Sequence, residues 1–123
     1  MKRIKLEEMN DDQLADRFSA IAIEQDRALL YSEIAKYNRL FDQMVGVQEE
    51  LKSRPGDHRR VLLSLYEHPN WQVRLMAAHA TLAVAPEAGR DLLQLIADSC
   101  HFPQAGDAGM ALVNLDRGVY KPK

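Results

Sequence analysis

The sequence predicts an all-α protein and, within that class, a right-handed helical-repeat solenoid of about three antiparallel helix pairs. Apolar residues recur every three or four positions along nearly the whole chain, and Pro or Gly signals separate these periodic segments at short intervals. No run alternates β-branched and polar residues as a strand does. The second helices of the pairs recur at roughly the mid-thirties of residues, which lies within the range of helical repeats.

The first helix pair is predicted over residues 10–52, after an N-terminal tail of residues 1–9. Asn10 is placed to cap the first helix, with Gln13 three positions later as in a capping box. Ser32 can cap the second helix, although one long kinked helix also fits the pattern. The apolar residues that share one face of the second helix are Ile34, Tyr37, Phe41, Met44, Val45 and Leu51.

The central helix pair is predicted over residues 57–85. Asp57 caps a short amphipathic helix that ends at His68, because a residue that precedes proline is pushed out of helical geometry. Asn70 caps the following helix. That helix carries apolar residues on two sides, so we expect it to be covered on both.

The third helix pair is predicted over residues 86–118, followed by a C-terminal tail of residues 119–123. Pro86 fits the first turn of the first helix of this pair. The second helix begins at Gln104 or at Asp107. The three pairs together meet the usual minimum for burying a continuous core by stacking.

The central pair resembles a HEAT repeat. An amphipathic helix and a short Pro/Asn turn precede the pattern V-R-x-x-A-A, which consists here of Val73, Arg74, Ala77 and Ala78. The sequence departs from the HEAT pattern at Thr81, where Leu is usual. The resemblance implies close packing of the second helix of this pair on its neighbours.

A wider resemblance covers nearly the whole chain. It is to a family of small bacterial proteins that are classed as a domain of unknown function and have a HEAT/armadillo-like fold. The stretches that carry it are AKYNRL (35–40), HPN (68–70), QVR (72–74), AVAP (83–86) and PQAGDAG (103–109). The resemblance implies a helical-repeat fold and supplies no activity.

The charge balance argues against nucleic acid and membranes as partners. Sixteen Lys and Arg residues against eighteen Asp and Glu residues give a formal net charge of −2. The chain therefore has no overall positive potential that would attract phosphates or anionic lipid. We see no export signal and no membrane span in the sequence. The single Cys100 cannot form an internal disulfide, which is typical of a reducing compartment. We therefore expect a cytoplasmic protein.

Arg74 invites two interpretations. It can pair with Asp107 near the start of the last helix, or it can hold an anion together with Gln104 and Asp107. Enzymes of the HEAT-like alkylpurine DNA glycosylase family hold DNA with Arg, Trp and Asp residues, and Trp71, Arg74 and Asp107 are of these types. That enzyme fold needs a strongly basic groove, which this mixed charge does not supply.

The other constellations favour structural roles. The glycine-rich residues 104–109 follow no strand and lack the Lys-Ser/Thr of a phosphate loop, which favours close helix packing. Cys100 and His101 are adjacent, whereas a nucleophile and its base normally come from distant positions. The histidines lack the spacing of a metal site: His58, His68, His79 and His101. The sequence therefore predicts no catalytic set, no metal and no cofactor.

We therefore expect a non-enzymatic protein-interaction module, because stacked helix pairs present an extended concave face. The partner is expected to be a toxin, a regulatory protein or a second copy of the chain. The alternatives are a protein that binds a small molecule or anion near Arg74, Gln104 and Asp107, and a HEAT-like enzyme that acts on nucleic acid. The predicted partner or ligand surface consists of Asn38, Trp71, Gln72, Arg74, Gln104 and Asp107.

Overall fold

The computed structural model describes residues 4–123, and these residues form helices and turns without a strand, which confirms the all-α prediction. Residues 1–3 of the predicted tail lie outside the described residues. The chain divides into two compact units, of which the first ends at Val61 and the second begins at Leu62. The helices are α1 (Asp11–Leu30), α2 (Ile34–Ser53), α3 (Trp71–Thr81), α4 (Pro86–Asp98) and α5 (Gln104–Asp116), and 3-10 segments span Leu6–Glu8 and His58–Leu65.

The predicted capping box at the start of α1 is confirmed. The backbone N–H of Gln13 donates to Oδ1 of Asn10 at 2.8 Å, and the backbone N–H of Asn10 donates to Oε1 of Gln13 at 2.9 Å. Asp11 and Asp12 follow in the first turn, where the positive end of the helix dipole favours acidic groups. These local interactions fix where α1 begins.

A turn separates α1 from α2, so the alternative of one long kinked helix is wrong. Ser32 lies in the left-handed region at φ +57°, which interrupts the helix. The capping role predicted for Ser32 is also wrong, because the residue that precedes α2 is Glu33, which makes no side-chain capping bond. The connection is short, so α1 and α2 pack against each other as a helical hairpin.

The apolar side chains of α2 do not all face the core. Leu40, Met44, Val47 and Leu51 are buried, whereas three members of the predicted apolar face, Ile34, Phe41 and Val45, are exposed. Successive residues advance by about 100° around a helix, so the predicted set spans about 120° of the circumference. Leu40 and Val47 extend the apolar arc on its buried side, whereas the opposite edge of the arc is left uncovered.

Arg54, which directly follows α2, contacts the N-terminal part of the first unit. Its guanidinium donates to Glu50 at 2.9 Å and to Asp11 at 3.0 Å, and also to the backbone carbonyls of Leu6 and Met9. The hydrogen bonds that Arg54 donates to Glu50 and Asp11 raise the pKa of its guanidinium. The arginine thereby ties the first 3-10 segment to both α1 and α2.

The first helix predicted for the central pair is a 3-10 segment and not an α-helix. Asp57 does cap it, since its carboxylate accepts the backbone N–H of Arg59 at 3.2 Å and pairs with the guanidinium of that residue at 2.7 Å. Leu62 and Leu65 are buried three positions apart, which suits three residues per turn. The apolar spacing fits both helix types over so short a segment, and the sequence alone does not separate them.

The second unit consists of α3, α4 and α5, which contact one another. The Asn70 side chain accepts the backbone N–H groups of Gln72 at 2.8 Å and Val73 at 3.1 Å, which confirms the predicted cap of α3. The expectation that α3 is covered on both sides is also confirmed, because these apolar side chains are all buried: Val73, Leu75, Met76, Ala77, Ala78 and Ala80. The last helix begins at Gln104, and Asp107 lies in its first turn.

Gly89 allows α4 to lie close to α3, so replacing it by alanine is expected to destabilise the protein. A Cβ there would lie 2.8 Å from Cδ2 and 3.3 Å from Cγ of the buried Leu82, and 3.4 Å from the backbone carbonyl oxygen of Ala78. We expect the overpacking in Gly89→Ala to cost roughly 1–3 kcal/mol, which exceeds the gain of about 0.5–1 kcal/mol from the higher helix propensity of alanine. Gly109→Ala is the matched control, because a Cβ there meets no atom within 4 Å and should stabilise α5 by about 0.5–1 kcal/mol. Urea unfolding of both variants checks the pair, and equal effects would contradict the close approach.

Candidate partner-binding surface

Two of the residues predicted to form a surface are buried. Gln72 and Gln104 are 2% and 1% exposed, and Nε2 of Gln104 donates to Oε1 of Gln72 at 2.9 Å. Their placement on a partner surface is therefore wrong. Glutamine is usually exposed, and only the packing of α3 against α5 shows that these two amides face each other in the core.

Arg74 does not pair with Asp107. Its Nε donates to the backbone carbonyl of His68, and its guanidinium lies over the indole ring of Trp71, 4.8 Å from the ring centroid. The ring of His101 stacks on the same indole with centroids 5.5 Å apart. Trp71 is thus partly covered by its own chain, and Arg74 takes part in a local contact within the second unit.

Asp107 belongs to a different cluster, with His79 and Tyr120. Nε2 of His79 lies 3.0 Å from Oδ1 of Asp107, and Nδ1 lies 3.0 Å from the phenol oxygen of Tyr120. One neutral tautomer satisfies both contacts, because Nε2–H then donates to the carboxylate while Nδ1 accepts the phenol hydrogen. Met110, Ala111 and Asn114 complete a shallow cleft of about 290 Å³ around the three residues.

The Asp107–His79–Tyr120 cluster ties the C-terminal tail to α3 and α5. The backbone N–H of Tyr120 also donates to the carbonyl of Asn114, so main chain and side chain are both held. No local pattern in the sequence points to Tyr120, because nothing in the order of residues brings the tail beside His79. The anion site predicted near Arg74, Gln104 and Asp107 is not assembled, because the three residues have separate partners.

Burial and the Asp107 carboxylate raise the pKa of Tyr120 above its ordinary value. The neutral phenol is then favoured by folding, so its contribution to stability is complete below about pH 10 and is lost as the pH rises through the raised pKa. Burial raises the pKa of Tyr66 as well. We therefore expect Tyr120→Phe to lessen, without abolishing, the loss of stability above about pH 10. Thermal melts over this range test the prediction, and a pH dependence equal to that of the native chain would contradict it.

The outer face of α2 is an apolar surface that the first unit leaves exposed. We define it by Ile34, Phe41 and Val45, which follow one another at spacings of seven and four and so lie on one side of the helix. Ile34 is 72% exposed and Phe41 is 46% exposed. Asn38, which was predicted for the partner surface, is also exposed and lies between Ile34 and Phe41 along this face, which we also call the stripe. Leu30, the last residue of α1, and Tyr31, in the turn before α2, add exposed apolar area.

A small cavity lies at the turn end of the outer face. It measures about 290 Å³ and is lined mainly by apolar side chains of the hairpin, with Ser32 and Glu33 adding polar groups. Ile34 belongs to both the cavity and the outer face, which makes the two continuous. The lining residues are Ala28, Leu29, Ser32, Glu33, Ile34 and Tyr37. The cavity has the size to receive part of an apolar side chain.

Two further properties bear on the class of site. Among residues 4–123, no group of three or more His, Cys, Asp or Glu side chains is arranged to hold a metal ion. Over the same residues, no helix combines the length and the apolar character needed to cross a bilayer.

These observations define a small all-α protein whose Gln72–Gln104 pair is buried, whose Asp107–His79–Tyr120 cluster lines a shallow cleft, and whose first helical hairpin exposes apolar side chains. The chain belongs to the family described as a domain of unknown function, DUF2019, whose model matches residues 12–116. It is similar to the crystal structure of the protein RPA1889 from Rhodopseudomonas palustris CGA009, with 51% sequence identity and a TM-score of 0.94. That similarity covers 98% of this chain and 100% of the other. A comparison with curated proteins gives no match. The predicted membership of a family of unknown function is therefore confirmed.

Proposed function

We propose that the protein is a non-enzymatic protein-interaction module that binds a partner protein on the outer face of α2. The exposure of Ile34, Phe41 and Val45 along one side of a single helix carries this proposal. Contiguous exposed apolar side chains on a monomer are typical of a binding surface, because their contact with water is relieved when a partner covers them. Of the residues predicted for the surface, Asn38 lies here.

The buried polar residues of the second unit also support a binding function. The Gln72–Gln104 amide pair is buried, so these two side chains are not accessible to a substrate. We also propose that the helix pairs are of the HEAT/armadillo-like kind, on the sequence resemblance of residues 57–85 and 35–40. A single Cys residue supports a cytoplasmic setting. A toxin, a regulatory protein and a second copy are the candidate partners.

Paired affinity isolations from native cells test the proposal. The double variant Ile34→Glu/Phe41→Glu places two charges on the outer face, and Ala20→Glu/Gln43→Glu places the same two charges at exposed positions elsewhere on the first unit. We expect a protein that co-purifies with the native chain and with the control, and that is lost with the outer-face variant. Equal recovery with all three chains would contradict the proposal, provided that circular dichroism shows all three to be folded.

A further inference from the structure

We infer that the outer face of α2 receives an amphipathic α-helix of the partner that carries Lys or Arg along one edge. This inference rests on the proposed function and names the chemistry of the partner. It depends on three features of the first unit: the length and shape of the stripe, the cavity at its end, and the charge of its border.

The stripe has the dimensions of a helix-binding ridge. From Ile34 to Val45 the helix advances by about 16 Å, which is three turns and matches apolar anchors at positions i, i+3 or i+4, and i+7 of a second helix. The N–H and C=O groups of α2 are engaged within the helix, so an extended partner strand finds no backbone edge to join. Side-chain ridges fitting into grooves are then the available mode of packing.

The cavity at the turn supplies an end point for the partner helix. Ile34 and Tyr37 form part of its wall, and Ala28 and Leu29 contribute the end of α1. One apolar side chain of the partner enters this space and removes part of its lining from water. Because the cavity lies at one end of the stripe, it also fixes the position of the partner along α2.

The border of the stripe is acidic. Asp42 and Glu49 lie about 60–80° around the helix from the centre of the stripe and are exposed. Neither forms an ion pair with another described residue, and although Glu49 lies within the field of Arg59, that guanidinium is already paired with Asp57. Lys or Arg on the partner would here meet two exposed carboxylates that are not in an ion pair with another described residue.

The charges of α2 also favour a different protein over a second copy. Lys36 and Arg39 lie on the side of the helix that points away from the stripe, and Lys52 is in line with the stripe about two turns beyond Val45, where it follows Glu49 by three residues. Two copies of α2 packed antiparallel through the stripe would bring Asp42 close to its own copy. Like charges at such a border are unfavourable, so charge complementarity selects a partner with a basic edge.

A display library of helical peptides, randomised on one face and at both of its edges, provides the probes. The full chain is used as the target, and two synthetic versions of the peptide enriched most are compared by fluorescence anisotropy, one with Lys and one with Glu at the edge positions. We expect the Lys peptide to bind at least tenfold more tightly at low salt, with the difference shrinking at high salt. Asp42→Lys/Glu49→Lys should reverse the preference, and Ile34→Glu should abolish the binding of both peptides.

The inference is overturned if no helical peptide is enriched, if the Glu peptide binds as tightly as the Lys peptide, or if binding survives Ile34→Glu in a folded chain. The proposed function fails in a different way, namely when no cellular protein depends on the outer face in the affinity isolations. A partner that depends on the outer face, together with peptides that show no preference for a basic edge, would preserve the function and exclude the helix assigned to it.

Discussion

Replacing Met44 by alanine is expected to lower the free energy of unfolding by about 2–5 kcal/mol, whereas the same truncation at Ile34 should change it by less than about 1 kcal/mol. Met44 is buried against the core of the first unit, and its removal leaves a cavity. Ile34 is mostly in water already, so its truncation removes little buried surface. Urea unfolding of the two variants measures the difference.

This pair of variants tests whether α2 has two distinct apolar sides. The sequence pattern places Met44 and Ile34 on one face, and a helix with that whole face buried would lose comparable stability at both positions. A large cost at Ile34 would show that the outer face is covered by the chain itself. An unchanged slope of the unfolding free energy against urea concentration serves as the control for two-state behaviour.

Replacing Gln104 by leucine is expected to cost about 1–3 kcal/mol, because the buried Oε1 of Gln72 then loses the N–H that Gln104 donates to it. Leucine has a similar volume, so the loss reports the hydrogen bond more than the packing. The double variant Gln72→Leu/Gln104→Leu removes both partners and should recover part of this loss. Thermal and urea unfolding of the two single variants and the double variant complete a double-mutant cycle, which measures the coupling free energy between the two side chains.

The cycle distinguishes a buried amide pair from two surface residues. A coupling free energy of at least about 0.5 kcal/mol is expected for groups in direct contact. Strictly additive effects near zero would indicate that the two side chains are in water, as the sequence pattern predicts. In that case the surface predicted to include Gln72 and Gln104 would again be a candidate binding site.

The helical class and the starts of α1 and α3 could be predicted because they depend on neighbours in the sequence. Asn10 and Asn70 accept N–H groups two or three residues further on, so the side chain and its partner are visible in the same short stretch. The sequence indicates a break near Ser32, because the three-to-four-residue spacing of apolar residues is interrupted there. It does not indicate the geometry of the turn, a left-handed residue followed by Glu33, because several turn geometries satisfy the same pattern.

The candidate site depends on contacts between distant residues, and the sequence located it only in part. Asn38 was predicted for the surface and is exposed, but Gln72 and Gln104 meet across 32 positions in the core. His79 brings Asp107 and Tyr120 together over separations of 28 and 41 residues, which no local pattern records. The sequence pattern does not separate the exposed apolar stripe of α2 from the buried side of the helix, because exposed and buried apolar residues have the same helical spacing.

Site-specific photo-crosslinking in native cells is the most direct test of the claim that a partner covers the outer face of α2. A benzophenone side chain is introduced at position 34, and in a matched chain at position 39, where Arg39 is exposed on the other side of the same helix. We predict a discrete adduct with one protein from position 34 and none from position 39. Equal adducts from both positions, or none from either, would contradict a partner on this face.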